Sequence, residues 1–371
     1  PIVKADMPEP VIKGGFAAPE TIAHIAVQKF MMASPLYRQE QELKLNGILL
    51  SRQTMSNWLL KACNDWLVPI YEEMKERLCE HEVLHGDETT LQVLKEPGKA
   101  AQSKSYMWLY RTSGEAKHQI VLYDYQPDRR HIHPQAFLKN FKGYLHCDGY
   151  EGYHKLPQDI IIVGCLAHLR RKFFDALKTL PKEKQPESNA AKGVAYLDKL
   201  FHLEKQFASL TPDNRHKERE RLSRPMFDEF YHWIGGMTAL PNTLLGRALH
   251  YAKSQRGYLE RYLLDGRLEI SNNRAERSIK PFVIGRKNWL FANTPKGARA
   301  SAIYYSLIVS ARENGLNPFA YLTWIFTNAP NLGRAGYTSS VKDFLPSSAA
   351  LPEKVFAPQP GNAKTEKPAW E

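Results

Sequence analysis

The strongest constraint on the fold lies between positions 83 and 163, where helical spacing of apolar residues gives way to five short extended runs. Residues 83–87 and 89–94 read as one extended segment, followed by a loop over 96–104. Residues 106–111 and 119–123 are aromatic and β-branched, and the turn 112–116 joins them as an antiparallel hairpin. After a helical stretch at 133–141, residues 143–148 and 160–163 read as buried parallel strands with a helical turn as crossover. The expectation is an α/β fold around one mixed five-stranded sheet: three antiparallel strands, then two strand–helix units.

The flanking sequence sorts into further units. Residues 1–19 are rich in Pro and Gly and read as a linker. Residues 20–80 read as a helical module with helix-turn-helix-like spacing, in which Gly47 ends one helix in a left-handed cap and Ser51 N-caps the next. Leu50, Met55 and Trp58 would face the first helix; a DNA-reading module and a plain helical hairpin are both open. The sheet-bearing core occupies 81–169, a strand-free helical insertion 170–265, and a second part of the core with packing helices 266–330. Scattered prolines and polar residues over 331–371 predict a mostly disordered tail. Four cysteines without a CxxC pair argue against a disulfide framework and for a reducing compartment. No apolar run approaches the roughly 20 residues that span a bilayer. The start at Pro1, with neither an initiator Met nor a signal peptide, reads as a fragment of a longer chain.

The net charge of +12 favours an anionic partner, with nucleic acid first and a membrane surface second. That charge is unevenly spread. Residues 1–86 carry 9 basic and 11 acidic residues, whereas 247–299 carry 12 basic and 4 acidic.

Two acids sit where chemistry tends to sit. Asp87 follows an apolar strand segment, and Asp148 closes another just before Gly149. Carboxylates on adjacent strands of one sheet converge, and they repel unless a cation neutralises them. Hard oxygen ligands suit Mg²⁺ or Mn²⁺, and a metal pair so held can activate water or a 3′-hydroxyl in phosphodiester displacement. The alternative is that each Asp merely caps a loop, as Glu88, Asp124 and Asp128 do on the same reading.

The residues around the acids are more specific. His85-Gly-Asp-Glu-Thr-Thr90, Tyr144-Leu-His-Cys-Asp-Gly-Tyr-Glu-Gly-Tyr153, Gly164-Cys-Leu-Ala-His-Leu-Arg-Arg-Lys-Phe-Phe174, Ser271-Asn-Asn-Arg-Ala-Glu-Arg-Ser-Ile-Lys-Pro281 and Ile284-Gly-Arg-Lys-Asn-Trp-Leu-Phe291 follow one another along the chain. Together they resemble the IS66 family of bacterial insertion-sequence transposases, from about residue 35 to 321. The resemblance implies a ribonuclease-H-like DDE transposase of the bacterial cytoplasm and nucleoid. Its catalytic and metal-binding acids would be Asp87, Asp148 and Glu276, with two Mg²⁺ (or Mn²⁺) ions per site. It implies cleavage at element ends and 3′-OH transfer into target DNA, by a homodimer or larger synaptic assembly, beside accessory proteins of the same element. The 128 residues between Asp148 and Glu276 fit an all-helical insertion, and Ser271 stands where many relatives carry Asp. Relatives usually begin with an additional region that includes a zinc-binding part. A catalytically inactive DNA-binding relic or regulator, and a nuclease that cuts without joining, are the alternatives.

Cys165 and His168 form a lone CxxH pair, half of a zinc site without a second pair in sequence. The resemblance implies a supporting role, with His168 in reach of phosphate or a catalytic carboxylate. Asn273 and Trp289 are further supporting residues. Arg274, Arg277, Lys280, Arg286 and Lys287 surround Glu276, and Arg170, Arg171 and Lys172 form a second basic cluster; all eight are expected on DNA phosphates. Trp289 and Trp233 could stack on an exposed base, although helix packing is the commoner fate.

Overall fold

A computed structural model describes residues 7–358. Four helices come first: α1 (Pro19–Phe30), α2 (Leu36–Leu45), α3 (Arg52–Ala62) and α4 (Val68–Cys79). The α2–α3 turn forms as its residues dictate. Gly47 takes φ +77°, Ile48 N–H donates back to the Leu43 carbonyl at 2.9 Å, and Ser51 Oγ accepts from Thr54 N–H at 3.1 Å. Met55 and Trp58 are buried. Beside this turn lies a largely apolar groove of about 670 Å³, lined by Phe16, Leu49 and Trp58 among others.

The sheet holds β1 (Val83–Gln92), β2 (Lys104–Thr112), β3 (Val121–Gln126), β4 (Gly143–His146) and β5 (Ile160–Val163), in the order β3-β2-β1-β4-β5. β2 runs antiparallel to both neighbours, and β4 lies parallel to β1 and β5. This is the ribonuclease-H-like mixed sheet. The extended segment expected over 83–94 forms the strand β1, which pairs through Asp87 and Glu88 with Leu109 and Trp108. Helix α5 (Ile132–Phe137) links β3 to β4, and a single helical turn at Tyr153–Lys155 makes the crossover to β5.

Helices α6 (Leu166–Lys178), α7 (Asn189–Gln206), α8 (Pro212–Glu218), α9 (Arg224–Gly235) and α10 (Leu244–Leu259) follow without a strand. They close on a core around Leu169, Phe173, Leu197, Phe227, Phe230 and Leu249 that also takes in Val83 and Val163 of the sheet. Helices α11 (Asn273–Trp289), α12 (Pro295–Glu313) and α13 (Pro318–Asn328) then return to the sheet. α12 lies on β3, where Ser306 and Ser310 accept hydrogen bonds from the Tyr123 and Val121 amides.

Both expected loose ends are tighter than their composition suggests. Within the expected linker, Val11 and Ile12 are buried, and the Trp66 indole N–H donates to the Val11 carbonyl at 2.8 Å. The expected tail is ordered through residue 358, because Phe344, Leu345, Leu351 and Val355 are buried and Asn317 N–H donates to the Val355 carbonyl. Residues 1–6 and 359–371 lie outside the described residues. Among the described residues no helix is long and apolar enough to cross a membrane, and all four cysteines are free.

Asp124, half-buried on β3, has the character of a liability. Burial pushes its carboxyl up to about 6, against a hydrogen bond from Gln126 that favours the charged form. The folded protein thus holds this proton more tightly than the unfolded chain. The penalty is present above pH 6 and fades as pH falls through 6 towards 4. Asp124→Asn is expected to stabilise the protein by about 2 kcal/mol at pH 8 and by little at pH 4, as read by urea unfolding at both values.

Candidate active site

Asp87 lies in the middle of β1 and Asp148 two residues beyond the end of β4, the strand hydrogen-bonded beside it. Glu276 lies in the first turn of α11. Burial first, then the charges of Glu88, Asp148 and Glu276, push the Asp87 carboxyl well above the usual range, whereas the closely spaced group that Glu276 joins among the described residues is that with Cys165 and His168. Only the Glu88 amide, donating to Asp87 Oδ1 at 2.9 Å, favours its charge. Asp148 is fixed by the Tyr150 amide, which donates to its Oδ1 at 2.9 Å.

What places Glu276 is a set of ties between α11 and the sheet. Asn272, 1% exposed, donates from Nδ2 to the Gly86 carbonyl at 2.8 Å. Its Oδ1 can only accept, so the 3.0 Å contact with His85 puts the imidazole proton on Nδ1. Burial keeps His85 and His146 neutral, and their rings stack 4.4 Å apart. Midway along α11, Arg111 donates to Ser278 Oγ, and the Tyr123 hydroxyl to the Ser278 carbonyl. At the far end Ala292 N–H donates to Gln92, and Leu94 N–H to Ala292, at 2.9 and 3.0 Å. The strand bearing Asp87 and the helix bearing Glu276 are therefore joined at both ends.

The sequence pointed to Asn273 as the supporting residue; the residue that makes these bonds is its neighbour Asn272. It sits at the N-cap position but spends its side chain on the sheet, leaving the cap without a side-chain bond. The motif brought an Asn pair to notice, but only the turn geometry distinguishes the two. α11 also continues through Pro281 to Trp289. There Leu290 turns the chain at φ +64°, ψ −51°, with Phe291 N–H donating to the Trp289 carbonyl at 2.8 Å. That is a strained γ-turn at a side chain 63% exposed. Leu290→Gly is expected to raise stability by about 1 kcal/mol, seen as a higher denaturation midpoint at unchanged slope.

Glu88, read as a loop-capping acid, instead lines this site. Its buried carboxylate accepts from the Tyr153 hydroxyl at 2.7 Å and from Arg129 Nε at 2.8 Å. Arg129 stacks 3.7 Å over the Tyr150 ring and comes within 3.9 Å of Asp148. No sequence signal marked Arg129, because its partner Glu88 is 41 residues away.

The basic residues divide. Arg277, Lys280 and Lys287 are exposed on α11, without a hydrogen bond or ion pair among the described residues. Arg274 is held by Glu269 at 2.5 Å, Arg170 by Asp198 at 2.5 Å, and half-buried Arg286 donates to Thr89 and Thr90 at 3.2 Å. Arg171 reaches Glu276 at 3.4 Å, and Lys172 lies 4.8 Å over the Tyr251 ring. Trp289 packs edge-on against Phe282 and Trp233 stacks on Tyr196, so both indoles serve helix packing.

Residues 14–300 match the family model described as Transposase IS66 family, and residues 306–346 match the IS66 C-terminal element. The chain belongs to the IS66 family of transposases. Two relatives from Sinorhizobium fredii, the uncharacterized proteins y4hP and y4qI, are each 30% identical to this IS66 chain, over 83% and 93% of it. The chain spans 58% and 65% of the length of those relatives. A looser likeness runs to the Drosophila P element transposase strand transfer complex, at 13% identity and a TM-score of 0.41, over 80% of this chain and 92% of that one.

Proposed function

We propose that this chain is the catalytic part of a DNA transposase that cuts at the ends of its insertion sequence and joins the freed 3′-OH to target DNA. What supports the reading is the IS66 family match together with the placement of Asp87 and Asp148 on and just beyond neighbouring strands, with Glu276 near enough that its charge helps burial raise the Asp87 carboxyl. Such a set suits a divalent cation, because carboxylates crowded in a buried site need a counter-charge. Glu276 Oε1 is also buried without a hydrogen-bond partner. Asp87, Asp148 and Glu276 would hold two Mg²⁺ or Mn²⁺ ions, which when bound supply Lewis-acid polarisation of the scissile phosphate and a more acidic water or 3′-OH.

The rest of the task falls to the chain's own groups. Asn272 keeps Glu276 in register with Asp87 through its bonds to Gly86 and His85. Arg129, aligned by Glu88 and the Tyr150 ring, sets positive charge beside Asp148 where a phosphate oxygen would approach. Exposed Arg277, Lys280 and Lys287 grip phosphates and orient the strand without reading its sequence. Both steps then use one site in turn: water displaces the 3′ oxygen at the element end, and the freed 3′-OH attacks the target phosphodiester. Joining two ends calls for two such sites, hence a dimer or larger assembly, with the element's accessory proteins as further partners.

The test is incubation of the chain with labelled element-end duplexes and supercoiled target plasmid in Mg²⁺ or Mn²⁺. A 3′-OH nick at the end and label covalently joined to plasmid are expected. Nicks without joining would make the protein a nuclease, and DNA binding without either product would make it a regulator.

A further inference from the structure

The pair Cys165–His168, incomplete in sequence, is completed in space by Glu276. One donor atom from each of Cys165, His168 and Glu276 lies within 4.8 Å of the others. The starts of two helices bring them there. Cys165 is the residue before α6, His168 sits in the first turn of α6, and Glu276 in the first turn of α11. Backbone bonds fix the junction: Leu166 N–H donates to the Ile270 carbonyl at 3.1 Å, and Asn272 N–H to Cys165 Sγ at 3.2 Å.

We propose that these three side chains form a site for a thiophilic divalent cation, with zinc as the fitting ion, and that its occupation withdraws Glu276 from the carboxylate set. Tetrahedral zinc takes sulfur at about 2.3 Å and nitrogen or oxygen at about 2.0–2.1 Å, which sets N and O ligands about 3.4 Å apart. His168 Nε2 and Glu276 Oε1 stand 3.4 Å apart. One further observation points to a ligand: Glu276 Oε1 is buried without a hydrogen-bond partner. Cys165 closes the inner side, while His168 and Glu276, both half-buried, leave a fourth position open to solvent. A sulfur–metal bond forms as the thiol proton leaves to water, so the site takes a soft or borderline ion and rejects Mg²⁺, which does not bind thiols.

Glu276 is shared, so occupation of this site and service in the carboxylate set exclude each other. The consequence for activity rests on the transposase reading; the binding itself does not. Binding is therefore measured directly, by Co²⁺ titration for thiolate-to-metal absorption and by zinc competition against a chromophoric chelator, with Mg²⁺ in large excess throughout. One ion per chain is expected. Affinity should fall more than about tenfold in Cys165→Ser and in His168→Asn, and stay near wild type in Cys79→Ser and His168→Cys. Circular dichroism checks each fold; should Cys165→Ser not fold, the His168→Asn and His168→Cys pair decides. Equal affinity in wild type and His168→Asn, no thiolate band, or displacement by Mg²⁺ would each overturn the site. Zinc-dependent loss of end cleavage, relieved by chelator, is the expected effect on activity; cleavage unchanged at saturating zinc would overturn the withdrawal of Glu276 while leaving the DNA reading intact.

Discussion

Glu276→Gln is expected to lower end cleavage and strand transfer by about a thousandfold or more, while DNA affinity stays within about twofold. A thousandfold is about 4 kcal/mol of barrier, the scale of losing one carboxylate from a metal-assisted site. Gln has the shape of Glu, so its seat in the first turn of α11 and the ties through Asn272 and Ser278 remain. What goes is the negative charge. Arg171, 3.4 Å from the carboxylate, loses its counter-ion and turns towards solvent or phosphate. Retained or slightly stronger DNA binding is therefore part of the result. Gel shift and cleavage of one labelled duplex separate the two effects, and wild-type joining by the variant would remove Glu276 from the catalytic set.

The second large effect is on stability. Arg219, 1% exposed, donates to both Glu204 oxygens and to the carbonyls of Tyr262, Asp265 and Leu268. Those carbonyls lie on the segment that leads from the helical stretch back to Glu269 and Asn272. Truncation leaves a largely buried carboxylate uncompensated and three carbonyls without a donor, at a cost of about 3–5 kcal/mol. Against a domain stability of about 5–15 kcal/mol that is a large share. Arg219→Ala should show it in urea unfolding, with faster amide exchange over residues 262–268. A loss under about 1 kcal/mol would mean that the segment is held by other contacts.

Much of this was legible from local pattern. The alternation of apolar runs between 83 and 163 places all five strands and two acids at adjacent strands, because a strand's period is its own property. Glu276 is different. It stands 128 residues from Asp148, and only the Asn-Asn-x-x-Glu-Arg motif connects them. What the sequence could not disclose is pairing across such distances. A count of +8 over 247–299 treats Arg274 and Lys280 alike, yet one is neutralised by Glu269 and the other faces solvent. Glu88 looked like a loop acid until Arg129 and Tyr153 appeared beside it. Prolines and polar residues over 331–371 predicted disorder, but through residue 358 the buried Phe344, Leu345, Leu351 and Val355 outweigh them once a surface exists to receive them.

The junction at Leu166 and Ile270 bears on how this chain can vary. The helical stretch leaves the sheet and returns to it beside two backbone hydrogen bonds, from Gly164 N–H to the Tyr258 carbonyl at 2.9 Å and from Leu166 N–H to the Ile270 carbonyl at 3.1 Å, and its core takes in Val83 and Val163 of the sheet. Closing a longer loop between fixed ends costs only logarithmically in its length. The size and surface of the stretch are thus nearly free variables, provided its two ends meet at this point. Whatever compact unit hangs there, the helix that follows is delivered to the same place, and Glu276 in its first turn keeps its aim while the outward face is redrawn.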